Sequence, residues 1–201
     1  MSNAVHTSSV ETLEGLDAFH PAVGKLGVWW FLASEVMIFG GLIGSYVLLR
    51  IAHGGWPDQA SHVNWQLGAV NTAVLVTSSL TMILALNAVR SERRERAARF
   101  LLATVLLGFT FLGVKSIEYS REISEGFTPG AGMFWSFYYL MTGLHGVHVF
   151  GGIILNATLY AAAVSGSLWS SDRRERVEFA GLYWHFVDVV WIFLFPLLYL
   201  A

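Results

Sequence analysis

The sequence predicts an all-α fold: a polytopic membrane bundle of five transmembrane helices, with its N-terminus cytoplasmic and its C-terminus periplasmic. Three observations point there. Hydrophobic residues make up 55% of the 201 and charged residues only 13%, whereas soluble domains carry about a quarter charged. Five apolar runs reach the roughly 17–25 residues needed to cross a bilayer. None alternates apolar with polar, so they read as helices, which bond their backbone groups within the segment, rather than as barrel strands.

Residues 1–24 form a polar, mildly acidic N-terminal segment with Glu11, Glu14 and Asp17. No basic region precedes a short apolar stretch there, so no cleavable signal peptide is expected. Residues 25–201 are expected to form the membrane domain. Span one covers 28–49 and is interrupted only by Glu35. Span two covers 67–89. Span three starts near Phe100, is apolar to Val114 and continues past Lys115 as far as Glu118 or Arg121. Span four lies within 133–164, longer than a crossing needs, and span five covers 177–199. The loop after span two carries Arg90, Arg93, Arg94, Arg96 and Arg99, and the loop after span four carries Arg173, Arg174 and Arg176. The loop around 126–132 has no Lys or Arg. Arginine-rich loops stay cytoplasmic, which gives the orientation stated above. The 50–66 connection, with its Gly54-Gly55-Trp56-Pro57 turn signal, is long enough for a small external structure.

Composition also excludes functions. A net charge of −2 argues against a nucleic-acid surface. The absence of cysteine removes disulfides, iron–sulfur ligation and thiolate metal sites. Ionisable residues inside the spans are therefore the informative ones, because they are costly in lipid and face a partner, a cavity or a proton path. Glu35 has no Lys or Arg one turn away, and is either a proton-exchanging or lipid-facing acid or a neutral carboxyl bonded to a neighbouring helix. Asn71, Thr72, Thr77, Ser78 and Ser79 in span two are packing residues, with Asn71 and Ser78 on one face. Glu118 lies three residues from both Lys115 and Arg121, so two cations can flank it, near enough to a headgroup to hold a phosphate or simply to bridge a helix end. His145 and His148 sit three apart among glycines that admit a close neighbour, as metal ligands, a titrating pair or hydrogen-bonded core histidines. A metal would require His185 and Asp188 as further ligands, and no metal site is expected. Glu178, His185 and Asp188 form one stripe of span five, where Asp188 can accept from His185 or pair with another helix.

These residues resemble a known family, subunit III of the haem-copper terminal oxidases, across nearly the whole chain. The markers are YWHFVDVVW over 183–191 with Glu178 before it, TGLHGVHV over 142–149, Glu35 within LASEVM, Asn71-Thr72 followed by Ser78-Ser79, and Glu118 after the third span. The resemblance implies a subunit with no cofactor of its own, packed on subunit I, with subunits II and IV as further neighbours and haem and copper held in subunits I and II. It implies bound phospholipid, a role in sustaining proton supply, a bacterial inner-membrane location, and cytochrome c or quinol as donor to the complex. Glu35 matches the family's reactive buried carboxylate. Glu118, His145, His148, Glu178 and His185 match its polar interior and lipid-lined cleft. Lys115, Arg121, Arg173 and Arg174 are added as lipid candidates, and Asp188 as a buried proton-related one. No catalytic residue is expected. The chain resembles the five-helix bacterial form, which lacks the first two of seven helices, and it carries arginines over 173–176 where many relatives have histidines. YWHFVD is closer to the cytochrome c oxidase version than to the FWHFLD more usual in quinol oxidases. A quinol oxidase subunit III, the similar accessory protein of nitric oxide reductase, and, from another class, a small proton-coupled carrier are the alternatives.

Overall fold

The structure is a computed structural model describing residues 3–56, 60–169 and 171–200, with backbone alone for 3–25 and 171–174. Five long helices follow one another: α1 (Asn3–Ala52), α2 (Trp65–Arg90), α3 (Arg94–Ser124), α4 (Met133–Val164) and α5 (Ser171–Tyr199), with a short 3₁₀ turn at Ser167–Trp169 before α5. Each contains a stretch long and apolar enough to span a membrane, in α1 only from Leu26 onward and in α5 from Glu175. The five expected spans are all present. Helices α3 and α5 begin about six residues before the apolar cores read from the sequence, because Arg and Glu are good helix formers and carry the helix past the apolar core.

The chain divides into two units, Met1–Ile38 and Phe39–Ala201, with the boundary inside α1. In the first, Trp30 and Met37 are exposed while Leu32 and Glu35 are buried. In the second, α2 packs on α3, α3 on α4, α4 on α5 and α5 back on α2, closing a ring of four antiparallel helices. The remainder of α1 meets this ring through Tyr46, whose hydroxyl donates to the Leu197 carbonyl at 3.0 Å, and Phe39, which packs edge-on to His148. The Leu197 carbonyl is one of the last four in α5, which have no intrahelical partner, so Tyr46 satisfies a helix end in place of water.

Connections between the helices end them by a common device. After α3, Gly126 takes a left-handed φ of 91°, and the Gly126 and Phe127 amides return to the Ile123 and Glu122 carbonyls. Phe127 then stacks on Trp135 at 4.7 Å, tying the turn to α4. After α2 the same pair of bonds forms from Glu92 and Arg93 to Val89 and Ala88, but Glu92 occupies the left-handed position at φ 55°. A side chain there costs roughly 1–2 kcal/mol.

Large aromatic rings fill the bundle: Trp135, Trp184, Trp191, Tyr138 and Phe111 are all essentially inaccessible. Trp184 is held where α3 and α4 carry glycine. A Cβ on Gly152 would lie 2.6 Å from its ring and one on Gly108 2.9 Å from it. On the histidine-bearing helix Gly152 thus admits an indole, while Gly143, Gly146 and Gly151 face the side chains of Tyr119, Leu112 and Tyr183, where the sequence suggested a neighbouring backbone or headgroup.

Candidate functional site

Two polar constellations lie within the bundle. The first joins α2 to α5. Of the stripe read from spacing, Glu178, Gly181 and His185 line one small cleft of about 180 Å³, together with Met82, Leu86 and Arg90, while Asp188 is not part of that lining. Arg90, at the last turn of α2, bridges Glu178 at 2.9 Å on a half-exposed edge. One turn deeper the Ser79 hydroxyl is hydrogen-bonded to His185 Nδ1 at 2.7 Å. Asp188 does not take the imidazole proton directly. Its carboxyl abuts the same Ser79 hydroxyl, and among the described residues neither oxygen has a well-formed hydrogen bond. Ser79, read from sequence as packing, therefore stands between the two groups expected to pair. Further along, Trp184 Nε1 donates to Ser78 and Trp191 Nε1 to Thr72, each at 3.0 Å. The small hydroxyls of α2 are the partners that let α5 bury its indoles in an apolar medium.

The second constellation is built on Lys115 and Glu118 of α3, both buried. Lys115 Nζ donates to Glu118 Oε2 at 3.2 Å, to the Tyr138 hydroxyl at 3.0 Å and to the Tyr199 hydroxyl at 2.5 Å. The two phenols in turn donate to Glu118 Oε1, each at 2.7 Å. All three ammonium protons are used, and each phenol oxygen both accepts and donates. The rings of Tyr119 and Trp191 lie 5.0 and 5.7 Å from the ammonium and add cation–π attraction. Tyr138 comes from α4 and Tyr199 from the end of α5, so one ion pair pins three helices. The expectation of two cations flanking Glu118 is corrected here: Arg121 turns outward and pairs with Glu125 at 3.0 Å. The i,i+3 spacing permits either partner, and the phenols, invisible to local spacing, decide for Lys115.

The histidines of α4 face different surroundings. His145 is fully buried, stacked on Trp191 at 5.2 Å and edge-on to Phe111 at 5.4 Å, with no hydrogen-bond partner for either nitrogen among the described residues. His148 is half-buried, and its Nδ1–H donates to the Leu144 carbonyl at 2.8 Å. With His185 turned to Ser79, the three span histidines do not converge. Among the described residues no group of three or more His, Asp or Glu is placed to hold a metal ion. Arg173 and Arg174 lie in α5 with their side chains outside the described residues.

Residues 7–201 match the sequence profile of the family "Cytochrome c oxidase subunit III". The chain belongs to that family. Similar subunit III chains include a "Cytochrome c oxidase subunit 3" of Thermostichus vulcanus, 35% identical over 90% of this chain and 89% of the relative. A "Probable quinol oxidase subunit 3" of Staphylococcus haemolyticus is 34% identical over 100% of this chain and 96% of the relative. Its counterpart in Staphylococcus aureus strain USA300 is 32% identical over the same shares. Subunits named for a cytochrome c oxidase and for quinol oxidases are thus both represented among the relatives, at 32–35% identity. As a subunit III, the chain is a non-catalytic, multi-pass membrane subunit of a terminal oxidase, consistent with a bacterial inner membrane.

Proposed function

We propose that this subunit III serves a proton-pumping cytochrome c oxidase. It lies against catalytic subunit I, with subunits II and IV as further neighbours and haem and copper in subunits I and II. There it steadies subunit I, sustains proton uptake and binds phospholipid. The family match over 7–201 is the observation that carries this reading. The exposed apolar faces of the bundle, with Ile117 at 68%, Val147 at 67% and Phe193 at 59% accessible, support it, because such surfaces call for lipid or another apolar chain. The arginine-rich ends after α2 and α4 face the cytoplasm in this reading, leaving the C-terminus periplasmic.

Proton-related roles fall to Glu35, His185 and Asp188. Headgroup contacts fall to Arg121, Arg173, Arg174, His148 and the Arg90–Glu178–His185 cleft. Lys115 and His145 are too deeply buried to reach a headgroup. The second reading, a quinol oxidase subunit III, is favoured by the staphylococcal relatives, whose similarity covers 100% of this chain. Purification of the complex through a tag on this chain, followed by absorption spectroscopy and oxygen consumption with reduced cytochrome c or with a quinol, tests both. Haem in the complex with turnover on cytochrome c supports the first; turnover on quinol alone establishes the second. Recovery of this chain without a haem-bearing partner overturns both.

A further inference from the structure

At the α2–α3 turn the structure holds a cleft of about 450 Å³ that the constellations above do not use, within the roughly 300–1,000 Å³ typical of ligand sites. Its polar lining is Arg93 at the N-cap of α3, Arg96 and Arg99 three apart within α3, and Asn87 and Ser91 at the end of α2. Its apolar wall is Leu84, Ala88 and Phe100. Among the described residues no carboxylate lines it. We propose that this cleft binds the phosphate of an anionic phospholipid, whose acyl chain runs down the apolar wall between α2 and α3.

Three features favour that occupant. The arginines have no other employment: among the described residues none of the three has an ion-pair partner, and the one side-chain bond is Arg99 Nε to the Glu95 carbonyl at a long 3.4 Å. Nor are they needed to complete the end of α2, because the Asn87, Ala88 and Val89 carbonyls are taken by the amides of Ser91, Arg93 and Glu92. A loop that merely obeyed the positive-inside rule needs arginines, but it does not need them lining one cleft. Arg93 caps α3 without a side-chain hydrogen bond, so the positive end of the α3 dipole adds to the same field. Finally, Leu84 of the cleft is 36% exposed and Leu80, one turn earlier on α2, is 55% exposed, so an acyl chain has an apolar path that a free anion would not use. The inference rests on the membrane-subunit reading, but not on the electron donor nor on the lipid candidates named above.

The test uses the whole oxidase complex, stripped of lipid in a nonionic detergent. The complex is titrated with dioleoyl phosphatidylglycerol or dioleoyl phosphatidylcholine in mixed micelles, and bound lipids are counted by native mass spectrometry. Arg96→Gln is expected to weaken phosphatidylglycerol retention on the order of fivefold, the effect of one basic residue near an anionic lipid. The triple change Arg93→Gln, Arg96→Gln and Arg99→Gln removes that lipid from the count, and phosphatidylcholine retention does not change. Should the triple variant fail to assemble, Arg96→Gln alone carries the test. Equal phosphatidylglycerol retention in wild type and Arg96→Gln overturns the proposal. So does displacement of the lipid by inorganic phosphate, which assigns the cleft to a soluble anion. Loss of another subunit from Arg96→Gln with the lipid retained also overturns it, in favour of an acidic protein segment. The donor assay above and this lipid count fail independently.

Discussion

Replacing Glu118 by Gln isolates the ion pair that pins α3, α4 and α5. The change keeps shape and volume, so no cavity forms. Oε1 still accepts from Tyr138 and Tyr199, which now reach it at 2.7 Å. The new amide N–H₂ replaces Oε2 and faces Lys115 Nζ, 3.2 Å away. A donor then opposes a donor, and the ammonium, on a residue 4% exposed, loses its counter-charge. Breaking a buried pair by removing one partner costs about 3–5 kcal/mol, which for a chain of this length is roughly 10 °C of midpoint. Thermal unfolding of the purified complex, followed by release of this chain, reads the loss. Changing Lys115→Met together with Glu118→Gln removes the stranded charge and is expected to recover most of it, since apolar replacements of whole buried pairs are often near neutral. A Glu118→Gln complex that unfolds with wild type, or a double change worse than the single one, refutes the pinning role.

Gly152→Ala sets a Cβ 2.6 Å from the buried Trp184 ring and is expected to cost about 1–3 kcal/mol by overpacking; Gly146→Ala, whose nearest neighbour would be Leu112 Cδ2 at 3.9 Å, is the near-neutral control in the same melt. Ser79→Ala removes the His185 Nδ1 partner and the hydroxyl beside Asp188, and a loss of about 1–3 kcal/mol is expected; Asp188→Ala, which deletes a carboxyl lacking a good bond in this chain, is expected to cost less by the same assay. Arg90→Gln breaks a bridge whose side chains are 61% and 40% exposed, so detergent melts should shift by less than about 1 kcal/mol.

Spacing alone made much of this legible. Uninterrupted apolar length marked five helices, and the offsets of Glu178 and His185 placed them on one face of α5, where they line one cleft. Asn71 and Ser78 on α2 share a buried face as read. What spacing could not show is which helix supplies the partner. Arg90 belongs to a loop charge cluster in sequence but caps the Glu178 stripe in space. Tyr138 and Tyr199 carried no signal, since a tyrosine in an apolar run is usually an interface anchor. Only their meeting with Lys115, 23 and 84 residues distant, gives them a role. A composition count of cationic residues near Glu118 was bound to include Arg121, because the choice between i−3 and i+3 is made by tertiary contacts.

Satisfaction separates the polar residues of the bundle more sharply than burial does. The Lys115–Glu118–Tyr138–Tyr199 quartet is buried and complete, so moving a proton or admitting a ligand there would break several bonds at once. A network of that kind acts as a rivet, because removing any one member leaves a buried charge or polar group uncompensated. His145, Asn71 and Asp188 are the reverse: buried, yet among the described residues without a partner for any side-chain polar atom of good geometry. Native interiors leave few such groups, and each calls for an explanation. Of the three, His145 stacks on Trp191, Asn71 adjoins in sequence the Thr72 that accepts its indole N–H, and Asp188 lies one turn before it on α5. The segment over 183–191 therefore holds both kinds of group. Its indoles lock α5 to α2, while its Asp188, like the His145 stacked on Trp191, has no well-formed bond among the described residues. The complete quartet at Glu118 is fitted to hold helices together, and among the residues proposed above for proton-related roles Asp188 is the one whose bonding is left incomplete.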